Sequence, residues 1–230
     1  MKNIWSKSLI CGFIISILCS FVNFSGKCEG ISDKVLRLHI IANSDSFEDQ
    51  SLKLKVRDRI LKDFGVEASK VNNMDDAEIL VQENLERIKF SAQDEISRNG
   101  FNYDVNVELI NMHFNTRVYT DVTLPAGNYD ALRVTIGEAK GKNWWCVMFP
   151  PMCLPAAERK REISEVLDES ESKIVTNFGD YQIEFKIVEI FSQVKDFVQN
   201  NICNPVKKYL YDEDNFEYGF SFSFENSHKI

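Results

Sequence analysis

Cys146 and Cys153 lie within one thirteen-residue stretch, GKNWWCVMFPPMC, from Gly141 to Cys153. Two kinds of chemistry fit such a pair. One thiol could act as a nucleophile, with His39 or His113 as its base. Two thiols in an oxidising compartment could instead close a disulfide. A nucleophile needs a thiolate, which a helix N-terminus or a cationic neighbour supplies. Here Trp145 precedes Cys146, Val147-Met148-Phe149 reads as a strand, and Cys153 is near enough to trap the thiol. The expectation is therefore a Cys146–Cys153 disulfide, worth roughly 2.5 kcal/mol on the chain-entropy account. Cys203 is then unpaired, or pairs with Cys28 if that residue is retained. No residue is assigned a catalytic role.

Metal and ligand chemistry is as sparsely signalled. The three histidines, His39, His113 and His228, show no metal-ligand spacing. In IANSDSFEDQ, Asn43, Asp45, Glu48 and Asp49 could offer oxygens to calcium. The stretch lacks the glycine and the final bidentate glutamate of a calcium loop, and capping between a strand and a helix explains the same residues. Trp144 and Trp145 could stack a cell-wall sugar, but no carboxylates or amides stand beside them to fix its hydroxyls. Neither a metal, nor a cofactor, nor a small-molecule substrate is expected.

The elements that must position these residues follow from periodicity. Val35 to Ala42 reads as a first strand. Leu52, Val56, Ile60 and Phe64 recur every four residues, a helix from Glu48 to Phe64 stopped by Gly65. A second helix runs from about Met74 to Arg98, with Ala77, Val81, Leu85, Ile88, Ala92 and Ile96 as its apolar stripe. The period then changes to two over Tyr103–Leu109, Thr116–Leu124 and Asp130–Ile136, three strands expected as a meander. After Pro155 the chain is charged. A helix is expected over Ala156–Lys173, then a strand over Tyr181–Ile187 running into a further helix, then a terminal aromatic strand over 216–224. The fold class is α+β: a mixed sheet with two helices on one face and a helix–strand–helix extension.

Lys2 and Lys7 precede an uncharged run from Ser8 to Phe24, which reads as a secretory signal, with a retained membrane anchor as the alternative. Residues 1–30 are assigned to that segment, 31–155 to an α+β core and 156–230 to an extension. The net charge is −8, and without the first 30 residues it is about −10. An acidic chain with scattered charges is poorly matched to nucleic acid, whose phosphates need a basic face.

Two stretches carry a resemblance. IANSDSFEDQSLKLKVRDRIL (Ile41–Leu61) and LPAGNYDALRVTIGEAKGKNWWCVMFPPMCL (Leu124–Leu154) closely resemble the stage II sporulation protein R family of endospore-forming bacteria. Residues 34–155 are covered well and 181–198 loosely. Ala139 stands where the resemblance would place a glycine. The resemblance implies a secreted signalling protein, not an enzyme, acting in the space between forespore and mother-cell membranes. It implies as partner a membrane-bound aspartic protease that processes the precursor of the mother-cell sigma factor. Trp144, Trp145, Phe149, Pro150 and Pro151 are then the candidate partner-binding residues, on a loop held by the disulfide. The alternative is an extracytoplasmic cysteine-dependent hydrolase or a cell-wall-glycan-binding module.

Overall fold

The computed structural model describes residues 2–68, 70–119, 122–153 and 162–198. Contacts divide the chain into Met1–Glu189 and Ile190–Ile230, and all that follows belongs to the first unit except the last turns of the final helix. Cys203, the aromatic stretch 216–224 and His228 lie outside the described residues, as does the segment 154–161.

Helix α1 spans Lys2–Ser32 and leads into strand β1, Leu36–Ile41. Helix α2 covers Phe47–Ile60 and is capped by Ser46, whose Oγ accepts from the Asp49 amide. Gly65 does not stop it. A π-turn, Leu61–Gly65, and a short helix α3, Val66–Ala68, follow. The extra residue of the π-turn re-phases the helix, so that Ile60, Leu61 and Phe64 all reach the core. The expected second long helix is two: α4, Met74–Glu83, and α5, Leu85–Arg98. They break at Asn84, whose side-chain amide donates to the Leu80 carbonyl. The predicted stripe survives the break, with Ala77, Val81, Ile88, Ala92 and Ile96 all buried.

Strand β2 is Val105–Phe114 and β5 is Gly127–Ile136, and they pair directly, antiparallel, from Val105↔Ile136 to Phe114↔Gly127. The expected meander is thereby corrected. The middle stretch forms a separate small hairpin, β3 (Arg117–Val118) with β4 (Thr123–Leu124), closed by the Tyr119 amide on the Val122 carbonyl at 2.8 Å. Strand β6 is Asn143–Phe149. The sheet order is β2-β5-β1-β6, with β1 parallel to β5 and antiparallel to β6. β1 is central, which is why its run LRLHII is buried almost throughout.

The C-terminal part departs from expectation. Between Glu162 and Asp168 the described chain forms only a short 3-10 turn, Ile163–Glu165, and not the α-helix expected there. Helix α6, Glu169–Thr176, starts at Asp168, which forms a capping box with Glu171. The predicted strand at 181–187 instead falls, from Gln182 on, in the first turns of helix α7, Gln182–Val198. Its apolar residues satisfy both periods over so short a span, and burial of Phe185 and Val188, three apart, decides for the helix.

Two apolar clusters sandwich the sheet. On one face Leu36, Leu38, Ile40, Leu132, Val134 and Ile136 meet α2, α4 and α5. On the other, Val147, Ala131, Tyr129 and Phe114 meet Phe24, Cys28 and Ile31 of α1, Ile174 and Val175 of α6, and Phe185 and Val188 of α7. This second cluster draws residues from both sides of the expected boundaries at 30 and 155. Among the described residues no helix is long and apolar enough to cross a membrane.

Candidate functional site

The two stretches that carry the family resemblance meet in a clasp at one end of the sheet. Gly141 N–H donates to the Ala42 carbonyl at 2.9 Å and Lys140 N–H to the Asn43 carbonyl at 3.1 Å. Asn43 Oδ1 accepts from the Glu138 amide, and Asp45 Oδ1 from the Lys142 amide. Lys53 reaches across from α2 to the Lys142 carbonyl at 2.9 Å. The glycines are needed for the close approach. A Cβ on Gly141 would lie 2.6 Å from the Ser44 carbonyl carbon, and one on Gly137, at φ +56°, 2.9 Å from Asn43 Cγ. Ala139 between them also takes a positive φ, 51°.

Of the oxygens once open to a cation reading, those of Asn43, Asp45 and Asp49 accept hydrogen bonds within the clasp. Asp49 is buried and accepts from Asn43 Nδ2 at 2.9 Å and from Ser44 Oγ. Burial works to raise this carboxyl, but hydrogen bonds from Ser44, Asn43, Tyr103 and Ser46 outweigh it and hold it below the usual carboxylate range. Glu48 is exposed at the first turn of α2.

The clasp delivers the chain into β6, whose register with β1 places each side chain. Trp145 sits opposite His39, and His39 opposite Arg133 on β5, which sits opposite Glu108 on β2. The row therefore runs Trp145–His39–Arg133–Glu108 across all four strands, and Arg133 closes it with hydrogen bonds of 2.9 and 2.7 Å to Glu108. The imidazole stacks on Trp145 with centroids 3.8 Å apart and planes 4° from parallel. Its Nε2 faces Asn143 Oδ1 at 2.8 Å, so Nε2 carries the proton. Burial pushes the His39 pKa down, and the charges of Arg133 and Arg117 add to this against the Asn143 hydrogen bond. His113, at the far end of β2, is paired with Asn128 in the ladder and lies away from that row.

Cys146 and Cys153 form the disulfide, with Cα atoms 6.2 Å apart. A disulfide sulfur has no thiolate to offer, so the hydrolase alternative loses its nucleophile. Cys28 is free, but it is buried in the second cluster, where burial pushes its thiol up to about 12. The other candidate residues divide. Phe149 is fully buried, and Pro150 and Pro151 are buried beside it. As folded in the isolated chain, these three of the candidate partner-binding residues present little surface. Trp144 and Trp145 are half-buried, on opposite faces of the sheet. Each lies under a guanidinium: Arg57 is 4.3 Å from the Trp144 ring and Arg117 is 5.2 Å from that of Trp145.

Sequence reasoning missed Arg37. It is fully buried on β1 and lies over the rings of Phe114 and Tyr129, at 4.4 and 5.0 Å, with Nη2 donating to Tyr119 Oη at 2.8 Å. Among the described residues no carboxylate pairs with it. Alternation with Leu36 and Leu38 was the available signal, but it marks a polar face without saying that the face is covered.

A family model described as stage II sporulation protein R matches residues 32–159, a span from just before β1 to just beyond the disulfide turn. A curated protein of that name from Bacillus subtilis (strain 168) is 34% identical over 143 residues, covering 62% of this chain and 64% of that protein. The match thus spans a little under two thirds of the relative's length. No solved structure matches the chain.

Proposed function

This chain belongs to the stage II sporulation protein R family, and from that premise we propose that it is an exported signal of sporulation. It is made in the forespore and passes into the space between the two membranes. There it activates a membrane-bound aspartic protease, which processes the precursor of the mother-cell sigma factor. The observation that carries the reading is that the family match covers the whole sheet and both halves of the clasp. The chain acts by binding, not by catalysis. Binding favours an active form of the protease that is already in its conformational repertoire. The disulfide and the zipped loops support such a role, because a segment held in one shape loses little entropy on docking.

The test is complementation. The chain is expressed in the forespore of a sporulating strain that lacks its own copy of the protein, and precursor processing is followed by immunoblot. Processing should return with the full chain and fail with a version lacking residues 1–30, which stays in the forespore cytoplasm. Equal processing with and without the chain would sink the proposal.

A further inference from the structure

Independently of the signalling reading, we propose that Arg37 and Arg117 form an oxyanion site beside Phe114 and Tyr129, built for a phosphate group. Arg37 is fully buried on the central strand β1. Its Nη2 donates to Tyr119 Oη, but Nε and Nη1 have no hydrogen-bond partner. The faces of Phe114 and Tyr129 attract the cation, yet they take none of its in-plane hydrogens. A guanidinium buried in a native fold is ordinarily paired with an anion. The charges acting on Arg37 are those of Tyr119, Tyr129 and Arg117, with no carboxylate among them. Glu108, one row along the sheet, is taken by Arg133.

Other orphaned groups gather beside it. Phe114 meets Trp145 edge to face at 4.9 Å, and Arg117 lies over the same tryptophan at 5.2 Å. Arg117 Nε and Thr116 Oγ1 are buried without a partner as well. The Tyr119 hydroxyl feels both guanidiniums: burial pushes its pKa up, and the charges of Arg37 and Arg117 pull against that. Each of these atoms donates or is free to donate, so the group that completes them is one that only accepts. Two guanidiniums match two negative charges, and a phosphate dianion brings both with oxygens enough for the nitrogens and hydroxyls. On a chain of net charge −8 this unpaired couple of cations is a local exception. The way in is short. Thr116, Arg117 and Tyr119 are half-buried, Val118 among them is 67% exposed, and their hairpin has two residues in each strand. Arg37 is the floor of the site, with Arg117 and Tyr119 as its cover.

The experiment is a thermal melt of the purified full chain in inorganic phosphate, compared with chloride and acetate at equal ionic strength and pH. Phosphate should raise the melting temperature along a saturating curve, by about 5 °C or more once it exceeds its Kd about a hundred-fold. Arg117→Gln, at a half-buried position, should fold and need about ten-fold more phosphate for the same rise. Arg37→Met removes a charge that lacks a counter-ion. Without phosphate it should melt no lower than the parent chain, and it should not respond to phosphate. A rise that grows linearly with phosphate and is shared by Arg117→Gln is a solvent effect and overturns the proposal. So does the absence of any rise. An equal saturating rise in acetate would overturn the assignment to phosphate. Asp121, two residues beyond Tyr119 in sequence, lies outside the described residues. If phosphate acts only on Asp121→Asn, the counter-ion is the chain's own and the proposal falls.

Discussion

Ala139 carries a backbone that a side chain resists. Its φ of 51° is in the left-handed region, where a Cβ costs roughly 1–2 kcal/mol against the following carbonyl. Glycine would relieve that cost but lose more entropy on folding, by roughly 0.5–1 kcal/mol. The balance favours glycine, so Ala139→Gly should stabilise the chain by about 0.5 kcal/mol, read as a higher urea midpoint at unchanged slope. A lower midpoint would mean that the loop does not hold this φ. At the same scale, His39 and Arg37 show what single letters conceal. Both read as polar interruptions of a strand, yet one is stacked on a tryptophan and the other enclosed among aromatic rings. Which ring meets which cation depends on strand register across more than a hundred residues of chain, as in His39↔Trp145.

The clasp between the β1–α2 loop and the β5–β6 loop is the element that makes β6 an edge strand in a fixed place. Its weakest tolerance is at Gly141, where an added Cβ meets backbone, not a movable side chain. Gly141→Ala should cost about 2–3 kcal/mol. Gly179→Ala, with nothing within 4 Å of the built Cβ, serves as the control and should be close to neutral. Thermal melts of the two variants decide the matter, and equal melting temperatures would dissolve the clasp as a structural unit. Helix α2 and the helical span shared by α4 and α5 were legible in the sequence because their stripes repeat over several turns, whereas the break at Asn84 was not. The stretch at 181–187 was not, since alternating and helical periods coincide over seven residues and only the burial of Phe185 and Val188 separates them.

For the molecule as a whole, the second apolar cluster makes the N-terminal segment part of the packing problem. Phe24 is buried and meets the rings of Phe185 and Tyr181 at 5.8 Å each. Phe24→Ala should destabilise the purified full chain by about 3 kcal/mol. In the exported protein the same change should have no effect on stability if cleavage removes residue 24, so urea titration of both forms, with N-terminal sequencing of the exported one, reads export and packing together. A full chain indifferent to the change would show that α1 does not pack as described. The α+β class, the period of the main helices, the Cys146–Cys153 pair and the family are all written locally: each rests on residues close in sequence or on a motif that can be read in one piece. The insertion of β1 between β5 and β6, the small hairpin in place of a middle strand, and the burial of Phe149, Pro150 and Pro151 are not. They depend on which distant surfaces meet, because periodicity marks an apolar face while only tertiary contact decides what covers it.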